Sequence, residues 1–183
     1  RPAIQAAIEV IRAAAGASPK NAWLLGELAR CHLLKAEHAR REGVDPALAL
    51  EQARAAVREA AEPSGAMSPS LREPSARIER EAIRAARRRG DLQEERFEVA
   101  FGALRPLLSK PGGDSEPAQL AAELHAERAA WRRQRGRSPE EDLRDGLARA
   151  DEALSKNPQN AKALLARERL LLERARAAPS SVR

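Results

Sequence analysis

Three glycines recur along the chain at a nearly constant interval. Gly43, Gly90 and Gly136 lie 47 and 46 residues apart. The prolines Pro19 and Pro158 are separated by 139 residues, which is three such intervals. A fixed period of this length in a helical chain is the signature of a solenoid, in which each unit buries its apolar stripe only against its neighbours. This repeat constrains the fold more than any single motif does.

The composition indicates that the repeated unit is helical. The chain has no tyrosine, two phenylalanines and two tryptophans, so it has few of the aromatic residues that favour strands. Ala, Leu, Arg and Glu are strong helix formers and are abundant here. We therefore predict an all-α fold of about eight helices. Because most of the apolar residues are small, these helices must approach closely to bury them.

One helix of each unit carries a narrow stripe of small and apolar residues, and a proline follows it. The spacing x3, x2, x4 places the stripe on one face of a helix and the proline just past its end. The clearest copies are Ala7-x3-Ile11-x2-Ala14-x4-Pro19 and Gly146-x3-Ala150-x2-Ala153-x4-Pro158, and weaker copies are Ala53-x3-Val57-x2-Ala60 and Ala100-x3-Leu104-x2-Leu107.

This stripe resembles the second helix of the tetratricopeptide repeat (TPR), Ala-x3-Phe-x2-Ala-x4-Pro. The first helix of that family carries Trp-x2-Leu-Gly-x2-Tyr, and here we find Leu25-x2-Leu28-Ala29-x2-His32 and Ala118-x2-Ala121-Ala122-x2-His125. The family unit has about 34 residues, so about 12 have been added, close to three helical turns. The resemblance implies a right-handed α-α superhelix, or TPR-like solenoid, with longer helices beside each glycine turn.

The repeat divides the chain into units with predicted bounds. We predict one array over 1–178, in which the stretches are 1–15 (second helix of a truncated repeat), 20–61, 74–109 and 115–156 (repeats 1 to 3) and 160–177 (a closing helix), followed by a frayed tail at 179–183. In the closing helix the apolar residues expected in register are Leu164, Leu165, Leu171, Leu172 and Ala175.

Two junction segments separate the repeats. Residues 62–74 are rich in Pro, Ser and Gly and are interpreted as a loop; a phosphoregulated segment around Ser64, Ser68 or Ser70 is the alternative. Residues 110–114 contain two glycines, but they lack the strand and the Gly-Lys-Ser/Thr sequence of a phosphate-binding loop.

The resemblance implies a peptide groove lined by the first helices. Carrying over that family's groove positions gives seven candidates, namely Trp23, Arg30, Leu33, Gln119, Glu123, Lys162 and Arg169. An exposed aromatic side chain beside an arginine is typical of a binding hot spot, which favours Trp23. The alternative is that Trp23 packs against Ile4 or Ile8 of the first helix.

No group of residues favours catalysis, a metal or a cofactor. His32 and His38 are six residues apart, which does not place a metal pair on one helix face, and His32 and His125 are equivalent repeat positions that packing explains. Cys31 lies in an apolar stretch and is interpreted as a buried, unreactive thiol. Acidic residues 140–142 follow Pro139, where they complement a helix dipole. We expect no enzyme activity in these residues.

The charge distribution leaves the class of partner partly open. The net charge is +6, and the basic runs 87–89 and 132–137 fall at predicted helix ends, where cations are favoured. An acidic protein or peptide is the alternative, whereas single-stranded nucleic acid is disfavoured because aromatic stacking residues are so few. No apolar run is long enough to span a membrane, and we expect a cytoplasmic location.

Two phrases, Gly-Arg-Ser-Pro at 136–139 and Ala-Leu-x-x-Asn-Pro at 153–158, are similar to repeat regions carboxy-terminal to the catalytic domain of large bacterial serine/threonine kinases. The chain begins inside a predicted helix and carries no kinase catalytic motif. We therefore predict an interaction scaffold from a larger bacterial signalling protein, and the alternative is a regulatory or self-associating dimerisation region of such a kinase.

Overall fold

The computed structural model describes residues 2–18, 21–61, 67–109 and 114–178. Within these ranges the chain forms eight α-helices and no strand, which confirms the predicted all-α class. Ser64, residues 110–113 and the tail 179–183 lie outside the described residues. The helices are α1 (Pro2–Ala17), α2 (Ala22–Arg41), α3 (Ala47–Ala61), α4 (Pro69–Arg89), α5 (Glu95–Leu108), α6 (Ser115–Gln134), α7 (Glu140–Lys156) and α8 (Ala161–Ala177).

The contacts between residues divide the chain into two compact units. Unit 1 comprises Arg1–Ala103 and unit 2 comprises Leu104–Arg183, so the division falls within α5. Unit 1 contains the α2–α3 hairpin and the α4 helix, and unit 2 contains the α6–α7 hairpin and α8. A single superhelical array stays a prediction.

The three repeat glycines end α2, α4 and α6 with the same hydrogen-bonded turn. Their φ angles are +75°, +82° and +69°, a left-handed conformation that glycine adopts at little cost because it lacks Cβ. Each glycine N–H donates to the carbonyl three residues earlier, and the following N–H donates to the carbonyl five residues earlier. These bonds define a Schellman motif, so the glycine period is a period of helix C-terminal caps.

Two of these turns lie side by side in unit 1. Arg88, near the end of α4, donates from Nη1 to the main-chain carbonyl of Arg40 near the end of α2, at 3.0 Å. The next residue, Arg89, lies 3.6 Å from the carboxylate of Asp45, between Nη1 and Oδ1. The turns at Gly43 and Gly90 therefore occupy the same end of unit 1, as the repeat predicts.

The core of unit 1 joins α1, α2, α3 and α4. Of the predicted inward residues of α2, those from Leu25 to Ala36 are buried, whereas Ala39 is only partly buried. In α1 the buried residues are Ile8 and Ala15, whereas the predicted stripe of Ile4, Ala7, Ile11 and Ala14 is only partly buried. The stripe of α1 therefore lies at the edge of the core rather than inside it.

The helix α4 begins earlier than the sequence predicted. Residues 69–74 were assigned to a junction loop, but α4 starts at Pro69 and contains Pro74. Proline is tolerated at a first helical position, where its missing N–H leaves no bond unmade. The added turn buries Leu71 against Leu25 and Ala60, and this burial explains why the helix extends through a loop-like sequence.

In unit 2, α6, α7 and α8 pack through a layer of small residues. The inward face of α8 is formed by Ala163, Ala166, Leu170 and Glu173. The predicted register was wrong, because Leu164, Leu165 and Leu172 are exposed. The alanines on the inward face allow α8 to pack closely against α6 and α7. The leucines that the sequence pattern predicted to face inward are instead exposed to solvent.

Candidate interaction surfaces

The start of α2 holds an aromatic side chain out to solvent. Asn21 caps this helix, since its Oδ1 accepts hydrogen bonds from the N–H groups of Trp23 at 3.1 Å and Leu24 at 3.2 Å. Trp23 follows the cap and is 69% exposed. This exposure favours a surface position over the alternative of packing against Ile4 or Ile8.

The two other candidates on α2 have different environments. Arg30 is exposed and forms an ion pair with Glu27 one turn earlier on the helix. Leu33 is 5% exposed and packs in the core with Leu28 and Ala29. In this structure Trp23 and Arg30 are accessible to a partner, whereas Leu33 has a packing role.

In unit 2 a polar depression lies where α6 begins, α7 ends and α8 begins. Its volume is about 950 Å³, and it brings together Gln119 and Lys162, two of the predicted groove residues. Both charge signs line it, with Asp114 and Glu116 near α6 and Lys156 near the end of α7. A surface of this kind is suited to a polar partner segment.

A hydrogen-bonded floor supports this depression. Asn160 Nδ2 donates to Ser115 Oγ and to Gln119 Oε1, both at 3.3 Å. Gln119 Nε2 donates to Glu123 Oε1 at 2.7 Å, and Asn160 Oδ1 accepts from the N–H of Ala163 and so caps α8. Gln119 and Glu123 are buried, so they fix the floor, and exposed charges are supplied by Asp114, Lys156 and Lys162.

Sequence reasoning missed Asn160, although a signal was present. Asn21 and Asn160 each follow a proline by two residues, at Pro19 and Pro158, and both cap the helix that comes next. In the same register Lys162 is equivalent to Trp23, and the exposed Arg169 is equivalent to Arg30. The two units thus present equivalent positions with different chemistry.

Each unit also contains an apolar recess at the same repeat positions. The recess of unit 1, about 310 Å³, lies between the start of α1 and the end of α2. The recess of unit 2, about 510 Å³, lies between the start of α7 and the end of α8. The residues that correspond at a spacing of 139 are Ile4 with Leu143, Gln5 with Arg144, Lys35 with Arg174, His38 with Ala177 and Ala39 with Ala178.

A buried charge cluster joins α6 to α7 within unit 2. Asp142 is 0% exposed; its Oδ1 lies 3.0 Å from His125 Nδ1 and accepts from Arg128 Nε at 2.6 Å, and its Oδ2 lies 3.1 Å from Arg132 Nη1. Burial raises the pKa of Asp142, but the His125 hydrogen bond and the two guanidinium groups outweigh burial and hold the pKa below 3.8. This carboxylate therefore stabilises packing in its ionised form.

The equivalent histidine of unit 1 has no such partner. His32 is buried, and its Nδ1 has no hydrogen-bond partner among the described residues. Burial and the nearby cations Arg12 and Lys35 lower the pKa of His32, which favours the neutral ring. The structure therefore places both histidines in packing positions.

The basic runs make contacts within their own units. Arg133 Nε donates to the buried Glu173 at 2.8 Å, and the guanidinium carbons of Arg135 and Arg137 lie 4.5 and 5.7 Å from the ring centre of Trp131, within cation–π range. Arg88 caps α2 as described above. These contacts favour a structural role for the two runs.

Reactive groups are not assembled in the part of the chain that the structure describes. Over the described ranges, no three or more His, Cys, Asp or Glu side chains are grouped so as to hold a metal ion. Cys31 is only partly buried, not buried as predicted, but desolvation and the nearby Glu27 raise its pKa, which disfavours a reactive thiolate. No described helix combines the length and apolarity needed to cross a membrane.

Comparisons with known proteins give no relative. No protein-family model, no curated protein and no solved structure matches the chain.

Proposed function

We propose that the chain is a non-catalytic interaction scaffold of TPR-like repeats, which binds a protein or peptide through exposed positions on α2 and α8. The observation that carries this proposal is the 69% exposure of Trp23, directly after a fixed helix cap. Large aromatic side chains are the most frequent anchors of protein interfaces. A solvent-exposed tryptophan on a well-anchored helix contributes nothing comparable to the core.

The chemistry of these positions suggests the kind of segment that would bind. Trp23 offers an apolar platform, and Lys162 and Arg169 are exposed cations on α8. A partner with an apolar anchor fits the surface of unit 1, and a partner with acidic side chains fits the surface of unit 2. The buried stripe of Gly146, Ala150 and Ala153 supports the TPR-like part of the proposal, because these are the packing positions of the resembled family.

The kinase-associated hypothesis stays a prediction. The phrases on which it rests have structural roles in the α6–α7 hairpin. Gly136 ends α6 and Pro139 precedes α7, and in the second phrase Ala153 is buried and Asn157 ends α7. Such roles account for the phrases without a kinase.

Selection from a random-peptide library displayed on phage tests the proposal. We expect enriched peptides with an aromatic or aliphatic anchor, whose binding Trp23→Ala weakens at least about tenfold, as for a hot spot. We also expect enriched acidic peptides, whose binding Lys162→Ala weakens. Leu48→Ala is the matched control, since Leu48 is an exposed residue of α3. The proposal fails if no peptide is enriched, or if Trp23→Ala and Lys162→Ala both bind the selected peptides as the unsubstituted chain does.

A further inference from the structure

The helix α2 carries a stripe of four residues on the side that faces away from its core. These residues are Trp23, Glu27, Arg30 and Leu34, spaced four, three and four residues apart. At about 100° per residue they fall within a sector of about 60°, and the buried residues of α2 centre on the opposite side of the helix. The spacing is that of the contact positions of a coiled coil. This α2 stripe therefore has the geometry of a helix-pairing face.

The two ends of the α2 stripe are apolar and its middle is charged. Trp23 is 69% exposed and Leu34 is 53% exposed, and they lie about 16 Å apart along the helix axis. Between them Glu27 and Arg30 form an ion pair with each other, and their side chains are 28% and 47% exposed. Single exposed apolar residues are common, but two on one face with a charge pair between them form a surface suited to a partner helix.

The order of residues in the α2 stripe is complementary to itself. Consider α2 of a second copy running antiparallel, with a two-fold axis that passes between positions 28 and 29. Position 23 of each copy then meets position 34 of the other, and position 27 meets position 30. Trp23 of each copy lies against Leu34 of the other copy, and Glu27 of each copy faces Arg30 of the other. Apolar residues therefore meet apolar residues, and opposite charges meet.

We propose that two copies of this chain associate through their α2 stripes in this antiparallel arrangement. The contact is isologous, so it closes at two copies. A parallel pair would instead place Glu27 against Glu27 and Arg30 against Arg30, and like charges facing each other across an interface are strongly unfavourable. The contact covers only three helical turns, so the dimer forms reversibly and is weaker than one with an interface of standard size.

The same positions on the other first helices lack this complementarity. On α6 they are occupied by Glu116, Leu120, Glu123 and Glu127, and on α8 by Lys162, Ala166, Arg169 and Glu173. The α6 set has three carboxylates, and the α8 set has no large apolar residue. Self-association is therefore a property of unit 1. It goes beyond peptide binding, and a peptide held by Trp23 would compete with the second copy.

Sedimentation equilibrium of the full chain tests the proposal. We expect the average mass to rise with concentration from 19.9 kDa to twice that value and no further. Trp23→Ala and Leu34→Ala should each raise the dissociation constant of the dimer at least about tenfold, as for anchor residues. Leu48→Ala is the matched control, at a leucine of α3 that is 66% exposed, and should leave the dissociation constant unchanged.

Reversal of charge tests the antiparallel register. Glu27→Arg alone and Arg30→Glu alone place like charges opposite each other across the dimer, so each should weaken association at least about tenfold. An equimolar mixture of the two variants should associate as the unsubstituted chain does, because opposite charges meet again at both contacts. Repulsion within each chain persists in the mixture, so only contact between copies explains the recovery. Asp151→Arg, at an exposed pair with Arg167, is the control and should leave association unchanged.

Several results overturn the proposal. They are a chain that stays monomeric at millimolar concentration, a mass that continues past the dimer, association that neither Leu34→Ala nor Glu27→Arg weakens, and a mixture of the two charge variants that associates no better than either alone. Circular dichroism of each variant verifies that the helices are retained. A selection that enriches no peptide leaves these measurements unaffected, so the failure of peptide binding is distinguishable from the failure of self-association.

Discussion

The α2–α3 and α6–α7 hairpins use the same repeat positions to join their helices in different ways. In the first, the buried His32 lies in register with His125 of the second, but the position of Asp142 is held by Ala49. Unit 1 joins its helices there through apolar contacts, whereas unit 2 uses a buried carboxylate with cations around it.

The sizes of the packed residues differ in the same sense. Leu25 and Leu33 on α2 correspond to Ala118 and Ala126 on α6, so α6 presents a flatter face. At Gly146 on α7, an added Cβ would lie 2.7 Å from Leu170 Cδ2 and 2.8 Å from His125 Cβ. The α6–α7 hairpin of unit 2 is therefore held by closely approaching helices and a buried ion pair rather than by large apolar side chains. The comparison teaches that a repeat determines where helices meet and leaves open which interaction holds them.

The largest expected effect is the loss of the buried carboxylate. Asp142→Ala leaves Arg128 and Arg132 without their shared partner, and removal of one member of a buried ion pair typically costs about 3–5 kcal/mol. We expect a loss of this size in the free energy of unfolding, measured by urea denaturation at neutral pH. Asp151→Ala is the control, since Asp151 and its partner Arg167 are exposed and such pairs contribute about 0–1 kcal/mol. Equal losses for the two variants would contradict the comparison.

The next effect concerns close approach. Gly146→Ala forces Leu170 or α7 to move, and overpacking of this kind typically costs about 1–3 kcal/mol. Gly102 lies within α5, and an added Cβ meets nothing within 4 Å, so Gly102→Ala should instead stabilise by about 0.5–1 kcal/mol. Thermal unfolding of both variants gives the sign of each change. A stabilising Gly146→Ala would show that unit 2 has more room than the structure indicates.

A smaller difference separates the two asparagine caps. Loss of a cap typically costs about 1 kcal/mol, and we expect this for Asn21→Ala. Asn160→Ala should cost more, because Asn160 also bonds Ser115 and Gln119. Urea denaturation of the two variants under the same conditions makes the comparison. If Asn21→Ala proves the costlier change, the polar floor of the depression contributes no stability.

The smallest effect that we expect is a difference in pH dependence. The pKa of His32 is lowered from 6.5 on folding, so the unfolded chain binds the proton more readily and stability falls as pH decreases below 6.5. The pKa of Asp142 is also lowered, from 3.8, so its contribution is lost only below that value. Replacement His32→Leu should flatten the change in urea midpoint between pH 8 and pH 5. An unchanged slope would exclude His32 as the cause.

Local signals determine the parts of this fold that the sequence predicts well. The caps at Gly43, Gly90 and Gly136 depend on main-chain conformation alone, and the hairpins follow from them. The start of α4 was missed because its prolines suggested a loop, whereas burial of Leu71 is a tertiary gain. The inward face of α8 was predicted wrongly because the helical pattern allows either of two sets of apolar residues to face inward. In the structure Leu170 packs beside Gly146, where the missing Cβ leaves space for it.

The candidate surfaces were predicted unevenly for a similar reason. Trp23 and Lys162 occupy equivalent positions two residues after the caps Asn21 and Asn160, and both are exposed. The cluster at Asp142 was missed because acidic residues that open a helix usually face solvent. A signal existed in His125, Arg128 and Arg132, which fall on one face of α6, but only the arrangement of the helices shows what they surround.

The glycine turns also determine how such a chain can change in length. The hydrogen bonds that close these turns are main-chain bonds, so a whole repeat, from one glycine to the next, can be duplicated or removed without a new kind of connection. A single inserted residue is a different change, because it rotates everything beyond it by about 100° around the helix axis. In α6, one residue inserted ahead of Gly136 would direct α7 away from its stripe. This architecture therefore accommodates insertions and deletions of whole repeats.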